Sequence, residues 1–220
     1  MAGNWTLLGP ELPAKPVEGG GLQEAAEAAL RDDGDVAGMR FTRGRLGELS
    51  GTTLEFSGCA FERCAFEPLA VKRVSFVDCA FEKCELSNGR FYNATFQRVR
   101  FTSCRMTGLE LGGAALMNAL FEDCMLDYLS VAEAKLDRAA FVRCPMRESL
   151  WSEVKLVKAR FEACDLTRAQ WMRTPLKGMD MTTCELAGWT VDLFDLRGLR
   201  VTAAQAVALS GLLGIEIAEA

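Results

Sequence analysis

Cysteine is the residue in this chain whose type and spacing most invite chemistry. The 220 residues contain nine of them, Cys59, Cys64, Cys79, Cys84, Cys104, Cys124, Cys144, Cys164 and Cys184. All fall in one residue class of five, and from Cys64 to Cys184 they recur every 20 residues. Thiolates attack carbonyls, bind soft metals and carry redox equivalents, so such a ladder raises all three possibilities. The rest of the sequence argues against each. There is no histidine, which removes Ser-His-Asp and Cys-His nucleophiles, His-ligated zinc and any imidazole proton shuttle. A metal needs ligands that converge on one point, whereas repeated positions project along parallel vectors. Ala94, Ala134 and Ala159 occupy the same class, so cysteine reads as a small core hydrophobe. No catalytic, cofactor-binding or metal-ligating residue is assigned, and an enzyme is not expected.

The element that positions the thiols is a repeat. Every fifth residue from Val36 through Phe41, Phe61, Phe101 and Phe141 to Val201 is apolar, with Gly51 the one exception. At 50% hydrophobic composition chance gives this on the order of 10⁻⁹ of the time, and neither 3.6 nor 2 divides five. The cysteine class lies two residues before each centre, so both positions point inward. The 20-residue recurrence of Cys64 to Cys184, echoed by Phe61, Phe81, Phe101, Phe121, Phe141, Phe161 and Met181, makes one coil four pentapeptides. A coil therefore has four sides, and coils stack at strand spacing into a rod roughly 40 Å long. The stretches "AFERCAFEPL", "AFEKCELSNG", "LFEDCMLDYL" and "RFEACDLTRA" resemble the pentapeptide-repeat family. That resemblance implies an all-β fold, a right-handed quadrilateral parallel β-helix, with short helical caps at both ends.

Three parts are expected: a lead-in with a short capping helix (1–35), the β-helix (36–201) and a C-terminal helix and strand (202–220). The lead-in holds Pro10, Pro13, Pro16 and Gly19-Gly20-Gly21, which predicts irregular or extended backbone. Leu22–Arg31 predicts a helix with Leu22, Ala26 and Leu30 on one face. Thr202 and Gln205 form a capping-box signature, Gly214 supplies a helix stop, and Ile215-Glu216-Ile217 reads as a strand. This tail, "DLRGLRVTAAQAVALSGLLGIEI", resembles the C-terminal cap of the quinolone-resistance branch of the family. The resemblance implies a head-to-head homodimer, with Ala206, Leu209, Leu212, Leu213, Ile215 and Ile217 as candidate interface. It further implies a DNA-mimicking rod that binds a type II topoisomerase, DNA gyrase or topoisomerase IV, and protects it from fluoroquinolones.

The surface reads less sharply. The net charge is −5, mild for a nucleic-acid mimic. One side gathers Glu67, Glu85, Asp127, Glu148, Asp165 and Glu185 and is the candidate partner-binding acidic side. The side centred on Phe56, Phe76 and Phe96 carries Arg98, Lys135, Arg138, Lys155, Lys158, Lys177 and Arg197. That basic stripe is too small for strong nucleic-acid binding, so no direct nucleic-acid partner is expected. Met117, Leu120, Met125 and Tyr128 are apolar residues in outward classes of one coil and form a candidate contact patch for an unrelated protein partner, the alternative function. No signal-peptide pattern and no run of 18 apolar residues occurs, and free thiols suit a reducing compartment. A cytoplasmic protein without membrane contact is therefore expected.

Overall fold

The computed structural model describes residues 5–47, 49–68, 70–216 and 218. The chain winds into a parallel β-solenoid of about nine turns. Along the wall, strands pair in parallel with the strand 20 residues later. Phe41 stands on Phe61, and the column continues through Phe81, Phe101, Phe121 and Phe141 to Phe161. A second wall stacks Val131, Trp151, Trp171 and Val191. Inward residues of both classes are buried along most of the rod, including all nine cysteines.

Two local features produce this shape. The residue two places after each centre repeatedly takes a left-handed conformation, as at Gly58 (φ 59°), Asp78 (φ 55°), Arg98 (φ 51°) and Asn118 (φ 54°). That conformation is strained for non-glycine residues, and it turns the chain to the next side. At these corners the amide donates to the following coil, Asp78 to the Gln97 carbonyl at 2.9 Å and Asp123 to that of Val142 at 3.0 Å. Identical rings then stack: Phe81–Phe101 centroids are 4.4 Å apart, and Phe101–Phe121 and Phe121–Phe141 are each 4.8 Å apart. Rings on adjacent sides meet edge to face, as Phe76 and Phe81 do at 74°, the geometry the aromatic quadrupole favours.

The register is interrupted once, although the repeat in the sequence is not. Asp137 pairs with Lys158 rather than Val157. No backbone hydrogen bond joins Lys155–Glu162 to residues 175–182. Pro175 has no N–H to continue the rungs that Lys135 and Lys155 donate to Ala114 and Ala134. Hydroxyls bridge the flanks of the seam: Thr174 Oγ1 accepts from the Val154 amide and Thr183 Oγ1 from that of Ala163, each at 3.1 Å. Leu156 and Ala159 are only half-buried there and Val157 is exposed.

At the N-terminal end, helix α1 (Leu22–Asp32) lays Leu22, Ala26 and Ala29 on the first coil. Ala29 is more deeply placed than Leu30, which is half-buried. The lead-in is ordered as a strap along the rod. Val17–Glu18 pairs with Met39–Arg40, the Glu11 amide donates to Asp78 Oδ1 at 2.9 Å, and the Leu8 amide donates to Asn118 Oδ1 at 3.3 Å. Trp5 lies against Arg160, its ring centroid 5.8 Å from the guanidinium carbon. At the other end, helix α2 (Ala203–Ser210) has the expected capping box. Gln205 also donates to the Met181 and Cys184 carbonyls at 2.8 and 2.7 Å, tying the helix to the last coil. Ile215 and Glu216 are not in a strand, and Ile217 lies outside the described residues.

The ring stack sets a measurable expectation. Phe121→Ala removes a ring packed between two others and should cost about 3–5 kcal/mol by chemical denaturation. Exposed Lys155→Ala should stay within about 0.5 kcal/mol.

Candidate binding surfaces

The cysteine ladder lies inside the rod. Seven of the nine thiols reach back to a carbonyl of the coil below, among them Cys64 to Phe41 and Cys84 to Phe61, each at 3.3 Å, and Cys104 to Phe81 at 3.5 Å. Alanine at the same position offers no such donor. A thiol of a neighbouring coil and burial push Cys84, Cys104 and Cys164 up to about 12, the neighbours being Cys104, Cys124 and Cys144, whereas hydrogen bonds with Cys79 and Cys164 hold Cys59 and Cys144 below the ordinary thiol value. Among the described residues no three Cys, Asp or Glu side chains converge as a metal site would require.

The six carboxylates of the acidic side have local partners. Asp127 is buried to 8% exposure, grips Arg147 through Nε at 3.1 Å and Nη2 at 2.5 Å, and accepts the Arg147 amide at 2.9 Å. Glu67 pairs with Arg45 at 2.6 Å and Glu148 with Arg168 at 4.0 Å. Asp165 accepts the Thr167 amide at 3.0 Å, Glu85 that of Ser87 at 3.0 Å, and Glu185 those of Leu186 and Ala187 at 3.0 and 3.1 Å. Spacing by 20 brings each Arg over a carboxylate one coil away, as also for Arg143 with Asp123 and Arg173 with Glu153. On the basic side Arg98 is held by Asp78 at 2.6 and 2.5 Å, and Arg138 by Asn118 at 3.0 Å. The Arg98 guanidinium keeps the Asp78 carboxyl below the ordinary carboxylate range. Lys135, Lys155, Lys158 and Lys177 are exposed and form no ion pair among the described residues.

The four apolar residues of the candidate patch are not brought together. Met117 and Leu120 flank the corner residue Asn118, where the strap crosses, and both are half-buried. Met125 and Tyr128 are exposed and belong to the sides centred on Leu126 and beyond, where a shallow cleft of about 350 Å³ is lined by Asp127, Tyr128, Arg147, Glu148, Thr167 and Arg168. The wall positions that are covered instead are Ala140 and Val142, outward by class yet buried. They lie between the strap contacts at Asn118 and Arg160. No pattern in the sequence pointed to them.

The C-terminal end carries an uncovered apolar surface. Leu196, Leu199, Val201, Ala206, Leu209, Ser210 and Leu213 line a groove of about 220 Å³. Phe194, Val207, Leu213 and Ile215 are all exposed, Phe194 to 77%, and no residue of α2 is buried. Of the candidate interface residues, Ala206, Leu213 and Ile215 are exposed and Leu209 and Leu212 half-buried. Ile217 lies outside the described residues.

The family model for the pentapeptide repeat region matches residues 54–131 and 114–191, more than half of the chain. The chain belongs to the pentapeptide repeat family. No curated protein sequence matches it significantly. Among solved structures, trypsin-treated QnrB1, a plasmid-mediated fluoroquinolone resistance protein, is similar at 24% identity, over 84% of this chain and 90% of that one, with a TM-score of 0.38. HetL, a pentapeptide repeat protein involved in heterocyst differentiation regulation from the cyanobacterium Nostoc sp. strain PCC 7120, is similar at 14% identity over 79% and 92%, with a TM-score of 0.34. The matched residues of this pentapeptide repeat protein are the regular wall. The strap and the apolar end lie outside them, at the two termini. No helix of the described residues is long and apolar enough to cross a membrane.

The ladder geometry sets the thiol chemistry of the native rod. All nine thiols are buried, so the sulfurs are out of reach of a reagent in solution. Ellman's reagent should find no fast-reacting thiol in the native protein and nine after unfolding.

Proposed function

We propose that this pentapeptide repeat protein is a non-enzymatic, cytoplasmic binding rod that pairs head to head through its C-terminal end and acts on a type II topoisomerase, DNA gyrase or topoisomerase IV, protecting it from fluoroquinolones. The observation that carries the reading is the apolar C-terminal end. A short helix with no buried residue, beside exposed Phe194, Leu213 and Ile215, is surface that a second copy would cover. Two rods of roughly 40 Å end to end reach about 80 Å, the length of about 24 base pairs at 3.4 Å each. The tail's resemblance to the quinolone-resistance branch supports the same partner. In this reading the acidic side centred on Asp127, Glu148 and Asp165 faces the enzyme.

One observation favours a second reading, a protein-interaction rod with an unrelated partner. The acidic-side carboxylates are engaged by arginines or backbone amides, and the exposed basic-side lysines form no ion pair among the described residues, so the wall is a weak electrostatic copy of DNA.

Supercoiling by purified gyrase, titrated with the protein with and without a fluoroquinolone, separates the two. Inhibition, or rescue from the drug, is the expected result; no effect on gyrase or topoisomerase IV at large molar excess excludes both as partners. Leu213→Glu should convert a dimer to a monomer in sedimentation velocity and abolish the gyrase effect, with the melting of the rod unchanged. A wild-type monomer at micromolar concentration would remove the head-to-head arrangement.

A further inference from the structure

The strap holds to the rod as a bound peptide holds to a receptor. It makes no backbone ladder between Trp5 and Pro16. Its two polar anchors are amides taken by side chains of the corner column, Glu11 by Asp78 and Leu8 by Asn118. Those acceptors are themselves held in place, Asp78 by Arg98 and Asn118 by Arg138. The spacings match. Asp78 and Asn118 are two coils apart, about 9.6 Å at strand spacing, and three residues of polyproline-type chain rise about 9.3 Å. Trp5, Leu8 and Glu11 accordingly meet Arg160, Asn118 and Asp78, and the prolines at 10, 13 and 16 repeat with the same period of three. Pro13 seats against Gly38 and Gly58 of the same column, where a β-carbon would lie 3.8 and 3.5 Å from its ring.

The occupant is lightly held. Leu8, Leu12 and Val17 are 57%, 40% and 64% exposed, and Gly19-Gly20-Gly21 joins the strap to α1. Ala140, two residues after Arg138 of the corner column, is buried at a wall position that in the other coils is half-buried or exposed.

We propose that the corner column from Gly38 to Arg138 is a docking groove for an extended segment of a partner protein, one carrying a bulky apolar residue followed by prolines at a spacing of three, and that the chain's own strap occupies and guards this groove until displaced. The groove reads backbone amides at a two-coil interval and accepts proline where the column is glycine. This surface is separate from the acidic side and from the C-terminal end, so it stands whether or not a topoisomerase is the partner.

The test uses the full chain with the strap disabled by Trp5→Ser, Leu8→Ser, Pro10→Ser and Pro13→Ser, and a fluorescent synthetic peptide of residues 5–18 as probe. The peptide should bind the disabled chain with saturable anisotropy. It should bind the wild type at least about tenfold more weakly, because a tethered strap competes at an effective concentration of order millimolar. Adding Asp78→Ala and Asn118→Ala to the disabled chain should abolish binding, with the rod's melting profile verifying that it is folded. Absence of binding to a folded disabled chain, equal binding to both chains, or indifference to Asp78 and Asn118 would overturn the proposal. Hydrogen exchange on the wild type gives an independent reading. The Leu8 and Glu11 amides should exchange orders of magnitude faster than those of Leu116 and Phe121; equal protection would mean a fixed structural brace and would also overturn it. Strap-dependent self-association of the wild type in sedimentation would assign the groove to a second copy instead.

Discussion

The parallel ladder between coils, with its increment of 20 residues, is the constraint from which the rest of this molecule follows. Once Phe101 hydrogen-bonds in register with Phe81 and Phe121, every other residue of the coil is placed over its counterpart. The rings must stack, the thiols must lie over one another, and the corner residues must share a conformation. Left-handed backbone at positions such as Arg98 and Asn118 would be unfavourable alone. It persists because each such corner amide meets a carbonyl of the next coil, and because the turn delivers the following apolar residue to the core. The cost is shared along the column and offset by the packing it permits.

The same increment governs the surface. An arginine and a carboxylate 20 residues apart come within reach of each other whatever lies between them in sequence, as Arg147 and Asp127 or Arg98 and Asp78 do. Charges counted side by side along the sequence therefore overstate the field a partner meets. Exposed pairs of this kind contribute little to stability, but they remove acidic charge from the solvent face. Lys135, Lys155, Lys158 and Lys177 are left without ion pairs among the described residues, and the recognition this rod can offer rests more on shape and apolar ends than on a strong potential.

The ends and the one seam are where the repeat stops supplying partners for itself. At the seam, Pro175 withdraws an N–H and threonine hydroxyls stand in for the missing rungs. At the N-terminus, α1 closes the first coil. At the C-terminus, α2 is anchored through Gln205 yet leaves its outer face open. The strap adds a third element that the repeat does not require, since the corner column it follows satisfies its own backbone without it. Interfaces in a solenoid are expected where stacking is unfinished or where a foreign segment lies across the coils, and this chain has both.

The sequence by itself determined the wall. The period of five, the single class of the cysteines and the 20-residue recurrence of Cys64 to Cys184 together required four sides, an inward thiol ladder and stacked phenylalanines, because these are local rules repeated until chance is excluded. The capping box at Thr202 was legible for the same reason, its two partners being three residues apart. What only the tertiary structure decided are the relations between residues with no fixed sequence interval. The strap binds Asn118 from Leu8, Trp5 meets Arg160, and Ala140 and Val142 are buried at outward positions. The register slip at Val157 was hidden because it leaves the spacing of apolar residues intact and changes only which backbone groups meet. Periodicity reports what each residue does relative to its own coil; contacts that run along the rod, across its corners or beyond its ends depend on three-dimensional placement alone.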